Sequence, residues 1–262
     1  MMQPKVVILC GGLGTRLKEE TDFKPKPMVM IGNKPILWHV MKIYSHYGFN
    51  DFVLCLGYKG EVIKEYFLNY DVLNSDFTIK LAPQKTVTVH HTLDESDWRI
   101  TLADTGINAL KGARLKKIEK YIKEDTFMVT YGDGVGDINI KKLLDFHKSH
   151  GKIATVTGVR PPSLFGELQV KDNKAVIFSE KPQTSTGLIS GGFFVFNRKL
   201  FEYLTEDDNC DFEKGPLEKI AAEGQLMVYT HDGAWACMDT YRDVEYLNRL
   251  WQTNEAFWKV WR

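Results

Sequence analysis

Short apolar runs alternate with amphipathic stretches along most of this chain. Lys5-Val6-Val7-Ile8-Leu9, Asp51-Phe52-Val53-Leu54-Cys55-Leu56 and Thr126-Phe127-Met128-Val129-Thr130-Tyr131 are nearly continuous apolar segments rich in β-branched residues. Such a segment has no polar face, so each predicts a strand covered on both sides, as parallel strands are. After the first, Ile36, Leu37, Val40, Met41 and Tyr44 recur on one helical face, with Pro35 at the first turn and Gly48 at the end. The second strand exits through Gly57-Tyr58-Lys59-Gly60 into a helix over about 61–70. Leu115, Ile118 and Ile122 mark the buried side of a helix running to Lys123, and a helix over 140–150 follows the third strand, with Asp137 read as its N-cap. Strands over 153–159 and 190–196, a helix from Pro216 to near Gly224 and a short strand over 235–240 complete the reading.

This order predicts one doubly wound α/β domain over residues 1–262, with a mostly parallel, Rossmann-like sheet. Residues 77–99 break the pattern. Thr86-Val87-Thr88-Val89-His90-His91 alternates, so smaller β elements are expected as insertions outside the parallel core, with Trp98 to Leu102 a further strand. His90 and His91 fall on opposite faces of such a strand and are poorly placed for one metal ion. The tail over 244–262 carries Leu247, Leu250, Trp251, Phe257, Trp258 and Trp261; it either docks on the domain or makes an oligomer contact.

Composition adds exclusions. Lys and Arg number 34, as do Asp and Glu, so the net charge is zero; a nucleic-acid binder would show a basic excess. No apolar run is long enough to span a bilayer, and Met1-Met2-Gln3-Pro4 leads straight into a strand with no signal peptide, so no membrane partner and a cytoplasmic location are expected. Cys10, Cys55, Cys210 and Cys237 show no metal-type pairing.

The candidate chemistry starts at Cys10-Gly11-Gly12-Leu13-Gly14-Thr15-Arg16, directly after the first strand. Ligands of such sheets bind at the carboxyl ends of strands. Glycines let the backbone pass close to a ligand and offer N–H groups to phosphate oxygens; Thr15 adds a hydroxyl and Arg16 a fork of donors. Lys24-Pro25-Lys26-Pro27-Met28 presents Lys26 on a stiff backbone. The glycines alone fit a ligand-free turn equally well; Arg16 and Lys26 make the whole a polyphosphate site. It is neither a P-loop, lacking Gly-Lys-Ser/Thr, nor a dinucleotide fingerprint, since Leu17 stands where the third glycine belongs. Asp133, between Gly132 and Gly134 at the end of the third strand, suits Mg²⁺ against a triphosphate. An Asp-Gly turn is the alternative, disfavoured because that strand end faces the same edge as the glycine loop. Residues 104–114 read either as a flexible turn before a helix or as a base-recognising loop with Arg114 at the helix start.

Gly-Gly-Leu-Gly-Thr-Arg-Leu, then Pro-Lys-Pro-Met, then Lys34-Pro35-Ile36-Leu37, resembles the sugar-1-phosphate nucleotidylyltransferases over nearly the whole chain. Lys18-Glu19-Glu20-Thr21, where many members carry a proline, is similar to the cytidylyltransferase branch acting on glucose 1-phosphate. The resemblance implies CTP and glucose 1-phosphate as substrates, CDP-glucose and pyrophosphate as products, a role in surface-polysaccharide synthesis and a homo-oligomer. It implies a nucleotide-binding half of about 1–137, with contacts from Leu9, Cys10, Gly11, Gly12, Leu13, Gly14, Thr15, Arg16, Lys26, Arg114 and Gly132. In the other half, about 138–262, it implies sugar-phosphate contacts from Gly166, Glu180, Lys181 and Gly192. Asp239 of Met-Asp-Thr becomes the partner of Asp133 on Mg²⁺; its alternative is the N-cap of the last helix, for which Thr240 competes. Lys26, Arg16 and Asp133 are the implied catalytic residues, Lys26 at the α-phosphate. A UTP- or dTTP-using enzyme and a catalytically silent nucleotide-sugar binder are the alternatives; the presence of Lys26, Asp133 and Asp239 argues against the silent form.

Overall fold

The computed structural model describes residues 3–81, 84–161, 167–171, 174–179 and 187–261. Seven strands form the central sheet: β1 (Val6–Leu9), β2 (Asp51–Leu56), β3 (Arg99–Asp104), β4 (Thr126–Tyr131), β5 (Ala154–Val159), β6 (Ile189–Asn197) and β7 (Leu226–His231). They lie in the order β7-β5-β6-β4-β1-β2-β3. β1 pairs in parallel with β2 and β4, β2 with β3, and β5 with β7. β6 runs antiparallel between β4 and β5. The expected mostly parallel sheet is the one that forms.

The apolar runs read as they do because both sheet faces are covered. Val6 and Ile8 share a core with Ile36 and Val40 of α1 (Ile36–His46) and with Leu143, while Val7 and Leu9 pack on the other face with Leu115 and Ile118. The remaining principal helices are α2 (Gly60–Leu68), α3 (Lys111–Lys117), α4 (Ile140–His150) and α5 (Tyr241–Gln252). Full burial contributes about 1.5–3 kcal/mol for each such side chain, so neither face of β1 has room for a polar residue.

Two local expectations are corrected. The cap of α4 is Asn139, whose side-chain oxygen accepts from Lys142 N–H at 3.0 Å; Asp137 instead meets His231 at 2.8 Å. The strand expected from Trp98 forms as Arg99–Asp104, at the edge of the main sheet beside β2, and the hairpin Phe77–Lys80 with Thr86–Val89 stands apart from that sheet as expected. Pro216 lies in an irregular turn over Glu213–Leu217, where Gly215 takes φ 92°, and the helix proper is Glu218–Ala222.

The aromatic tail docks on its own domain. Trp258 is fully buried, and its indole N–H donates to His39 Nδ1 at 3.3 Å. His39 Nε2–H donates in turn to the Ile31 carbonyl at 2.9 Å. This pair of partners selects a neutral imidazole, because a proton on Nδ1 would face the indole donor. Burial pushes the His39 pKa down to about 4, with the Ile31 hydrogen bond opposing only in part.

The sign of the pH dependence follows. The unfolded chain takes up a proton near 6.5 that the folded His39 refuses until about 4, so stability is present above the unfolded value and falls as pH drops through that window. The loss due to His39 is about 3 kcal/mol; His147, also pushed down to about 4 by burial, acts in the same direction. Urea midpoints at neutral pH and near the lower end of the window should show a smaller drop for His39→Gln than for the unaltered protein. Equal drops would remove His39 from the account.

Candidate active site

The carboxyl ends of β1 and β4 open into a cavity of about 530 Å³. Leu9, Cys10, Gly11, Gly12, Gly14 and Thr15 form one stretch of its wall, Lys26 and Pro27 another, and Gly132, Asp133 and Asp239 a third. Leu13 is exposed and outside the lining. Gly14 takes φ 63°, and its carbonyl accepts from Leu17 N–H at 2.9 Å and from the Thr21 hydroxyl at 3.2 Å. Arg16 begins no long helix; its backbone lies in the single turn Thr15–Leu17, and its side chain is outside the described atoms.

Lys26 opens the turn Lys26–Met28, which Pro25 enters in an extended conformation and which buries Pro27 and Met28. Pro27 Cγ would lie 2.9 Å from a Cβ at Gly132, so the glycine lets the proline pack against the end of β4. Lys26 Nζ donates to Asp133 Oδ2 at 2.6 Å and to Asp239 Oδ1 at 2.5 Å. Burial alone would lower the pKa of this ammonium, but Asp133 and then Asp239 outweigh it and hold Lys26 above its ordinary value.

The two carboxylates are far apart in sequence and meet through a small ribbon. Gly134–Gly136 pairs antiparallel with Trp235–Cys237, setting Gly134 against Cys237, and Met238 N–H donates to the Asp133 carbonyl at 2.9 Å. Asp239 is then fixed from its other side, because its N–H donates to Asp243 Oδ2 at 3.0 Å within the cap of α5; Thr240 is that cap. The Cys237 thiol lines the same cavity, but burial, Asp239 and Asp133 push its pKa up to about 12, so it is no nucleophile at neutral pH.

Arg114 also lines the cavity, and what it does there differs from a free contact with the base. Its Nη1 donates to the Leu56 and Gly106 carbonyls at 3.1 and 2.8 Å and to the Thr105 hydroxyl at 2.8 Å; its Nη2 donates to the Gly11 and Ile107 carbonyls at 3.0 and 3.2 Å. A side chain expected to contact the nucleotide thus fastens the glycine loop to the end of β2 and to residues 105–107. The space for it comes from two glycines: a Cβ at Gly11 would sit 2.1 Å from Nη1, and one at Gly57 would sit 2.5 Å from it.

Of the residues expected on the sugar side, Gly166, Glu180 and Lys181 lie outside the described residues. Gly192 is buried behind Tyr131, whose Cδ2 would be 2.6 Å from a Cβ there, and it is Ser190 that lines the cavity. The sequence reading missed Tyr131, Lys111, Glu213 and Trp235 in the wall. Tyr131 had a signal, since it directly precedes Gly132-Asp133; Glu213 had none.

Gly57 stands outside the lining, and a Cβ there would press on the arginine, 2.5 Å from Nη1, and on the Gly11 carbonyl, 2.8 Å away, so Gly57→Ala disturbs the clamp where it meets the loop. Displacing the guanidinium costs about 1–3 kcal/mol, and nucleotide affinity measured by calorimetry should fall about tenfold or more. Affinity equal to that of the unaltered protein would show that the clamp does not shape the loop.

The family model described as nucleotidyl transferase matches residues 5–258. The glucose-1-phosphate cytidylyltransferase of Salmonella typhimurium is 50% identical, over 98% of this chain and 99% of that protein. The mannose-1-phosphate guanylyltransferase catalytic subunit beta of Dictyostelium discoideum is 31% identical over 94% of this chain, which spans 63% of that longer protein. Among solved structures, a UDP-glucose pyrophosphorylase complexed with UDP-glucose superposes with a TM-score of 0.68 at 14% identity, covering 97% of this chain and all of the other (100%). HddC from Yersinia pseudotuberculosis gives 0.66 at 23% identity, covering 95% and 100%. With the family model spanning all but the extreme ends and the glycine loop, lysine and paired carboxylates assembled in one cavity, the chain belongs to the nucleotidyl transferase family.

Proposed function

We propose that this chain transfers the cytidylyl group of CTP to α-D-glucose 1-phosphate, forming CDP-glucose and pyrophosphate. The observation that carries the chemistry is Lys26 bridging Asp133 and Asp239 beside the glycine loop. Half-identity with the Salmonella cytidylyltransferase over essentially both full lengths supports the choice of CTP and glucose.

A phosphate oxygen of glucose 1-phosphate forms a bond to the α-phosphorus of CTP. The bond from that phosphorus to the bridging oxygen breaks, and its electron pair leaves with pyrophosphate. The attacking phosphate is already anionic, so no general base is required; repulsion between anions is the obstacle, and positioning with electrostatics is the remedy. Lys26 supplies fixed positive charge for the α-phosphate. N–H groups of the glycine loop, together with Arg16, take the outer phosphates, and Lys181 takes the acceptor phosphate.

Asp133 and Asp239 fit Mg²⁺. They are hard oxygen donors that already converge on one cationic centre, and Mg²⁺ in nucleotide sites is held by one or two carboxylates with substrate phosphates completing the shell. When bound, the ion neutralises phosphate charge. A homo-oligomer belongs to the same reading: Phe77, Ile79 and Val87 leave an apolar hairpin face exposed, and light scattering should return a multiple of the chain mass.

The test is pyrophosphate release with glucose 1-phosphate and Mg²⁺, offering CTP, UTP, dTTP, ATP and GTP separately. CTP should be preferred and chelation should abolish release; preference for UTP or dTTP would overturn the base assignment and leave the chemistry. Lys26→Ala should cut turnover about 100-fold or more at a temperature where the variant is folded, since leaving Asp133 and Asp239 unpaired also lowers the unfolding midpoint. Near-normal turnover in that variant would remove Lys26 from the mechanism.

A further inference from the structure

A second polar network faces the cavity, built from residues outside every motif. Glu213 follows the fully buried Phe212. One of its carboxylate oxygens accepts from the Tyr131 hydroxyl and the other from Lys111 Nζ. The Lys111 ammonium also lies 3.6 Å from Asp211 and 5.8 Å from the centre of the Tyr131 ring. Tyr131 ends β4, two residues before Asp133, and Lys111 opens α3, the helix whose Arg114 holds the glycine loop. Lys111, Tyr131 and Glu213 all line the cavity.

We propose that Glu213 accepts hydrogen bonds from the adjacent 2′ and 3′ hydroxyls of the nucleotide's ribose, with Lys111 and Tyr131 as positioning residues. The inference rests on the nucleotidyl-transfer reading above. Both partners of Glu213 are donors, so its carboxylate is ionised, aimed, and left with one free lone pair on each oxygen. Two neighbouring hydroxyls are the complement of such a group. Lys111, shared with Asp211, offsets part of its negative charge. Ribose is favoured over the hexose by connection: Lys111 belongs to the helix fastened to the glycine loop, whereas Ser190, Trp235 and Cys237 line a separate stretch of wall on β6 and the Asp239 ribbon.

The experiment is calorimetric binding of CTP, 2′-deoxy-CTP and 3′-deoxy-CTP to the full chain, with kinetics in parallel. The unaltered protein should bind each deoxy analogue about tenfold more weakly than CTP. Glu213→Gln should bind all three alike, with KM for glucose 1-phosphate unchanged. Tyr131→Phe and Lys111→Met should raise KM for CTP while kcat holds, and should narrow the same discrimination. The unaltered protein answers first: binding of all three nucleotides within about twofold overturns the proposal whether or not any variant folds. So does discrimination that survives in Glu213→Gln, or a loss that falls on KM for glucose 1-phosphate. If UTP proves to be the bound nucleotide, that overturns the base assignment alone, and the same ribose comparison is made with UTP and its deoxy counterparts.

Discussion

Two carboxylates held at one point repel each other, and the site depends on making that arrangement stable. Like charges about 4 Å apart cost on the order of 4 kcal/mol near a protein surface. Lys26 removes that cost by standing between Asp133 and Asp239, and its raised pKa is the same coupling seen from the ammonium. The consequence is a site whose acidic residues are in place before substrate arrives. Because the cation that stabilises them is a side chain on a stiff Pro-Lys-Pro turn, it stays within reach of whatever phosphate later competes for it.

Arg114 answers the same problem on the neighbouring wall with opposite charge. A nearly fully buried guanidinium is costly unless its donors are satisfied, and here the acceptors come from three separate stretches: the glycine loop, the end of β2, and residues 105–107. The glycine loop is therefore held by a side chain from a helix more than a hundred residues away. This changes what its glycines are for. Gly14 has a positive φ and needs to be glycine for its backbone; Gly11 needs to be glycine because an arginine occupies the space beside it.

These distinctions explain what could be read from the sequence. Strands such as Thr126–Tyr131 were legible because burial on both faces leaves a continuous apolar run, and the glycine loop with Lys26 was legible because its parts are close in sequence. Asp239 was reached only through family resemblance. Its meeting with Asp133 depends on the pairing of Gly134–Gly136 with Trp235–Cys237, and ribbons of three residues leave little periodicity. Asp137 was misread as a cap because Asp and Asn are equivalent by propensity, and the choice between Asp137 and Asn139 is made by tertiary contact with His231. Glu213 was invisible for a related reason: an irregular turn with Gly215 at positive φ carries no pattern, and its partners come from β4 and α3.

The aromatic tail is the remaining link, and it reaches the active site by connection, not contact. Asp239 is fixed on one side by its ribbon and on the other by the cap of α5, so the position of that helix sets the position of the carboxylate. α5 is tied to the segment after Lys26, since Asn248 accepts from Gly32 N–H at 2.8 Å and donates to the Met30 carbonyl at 3.2 Å. The tail beyond it then closes on α1 through Trp258 and His39, and His39 closes on Ile31 of the same segment. α1 itself starts with Ile36 N–H donating to the Val29 carbonyl at 2.9 Å, three residues past Lys26. The elements carrying Lys26 and Asp239 are thus locked together at a second place, behind the cavity. The buried neutral histidine among tryptophans thus adds a tie between the elements that carry the ammonium and the carboxylate, besides the ribbon and the cap that already fix Asp239.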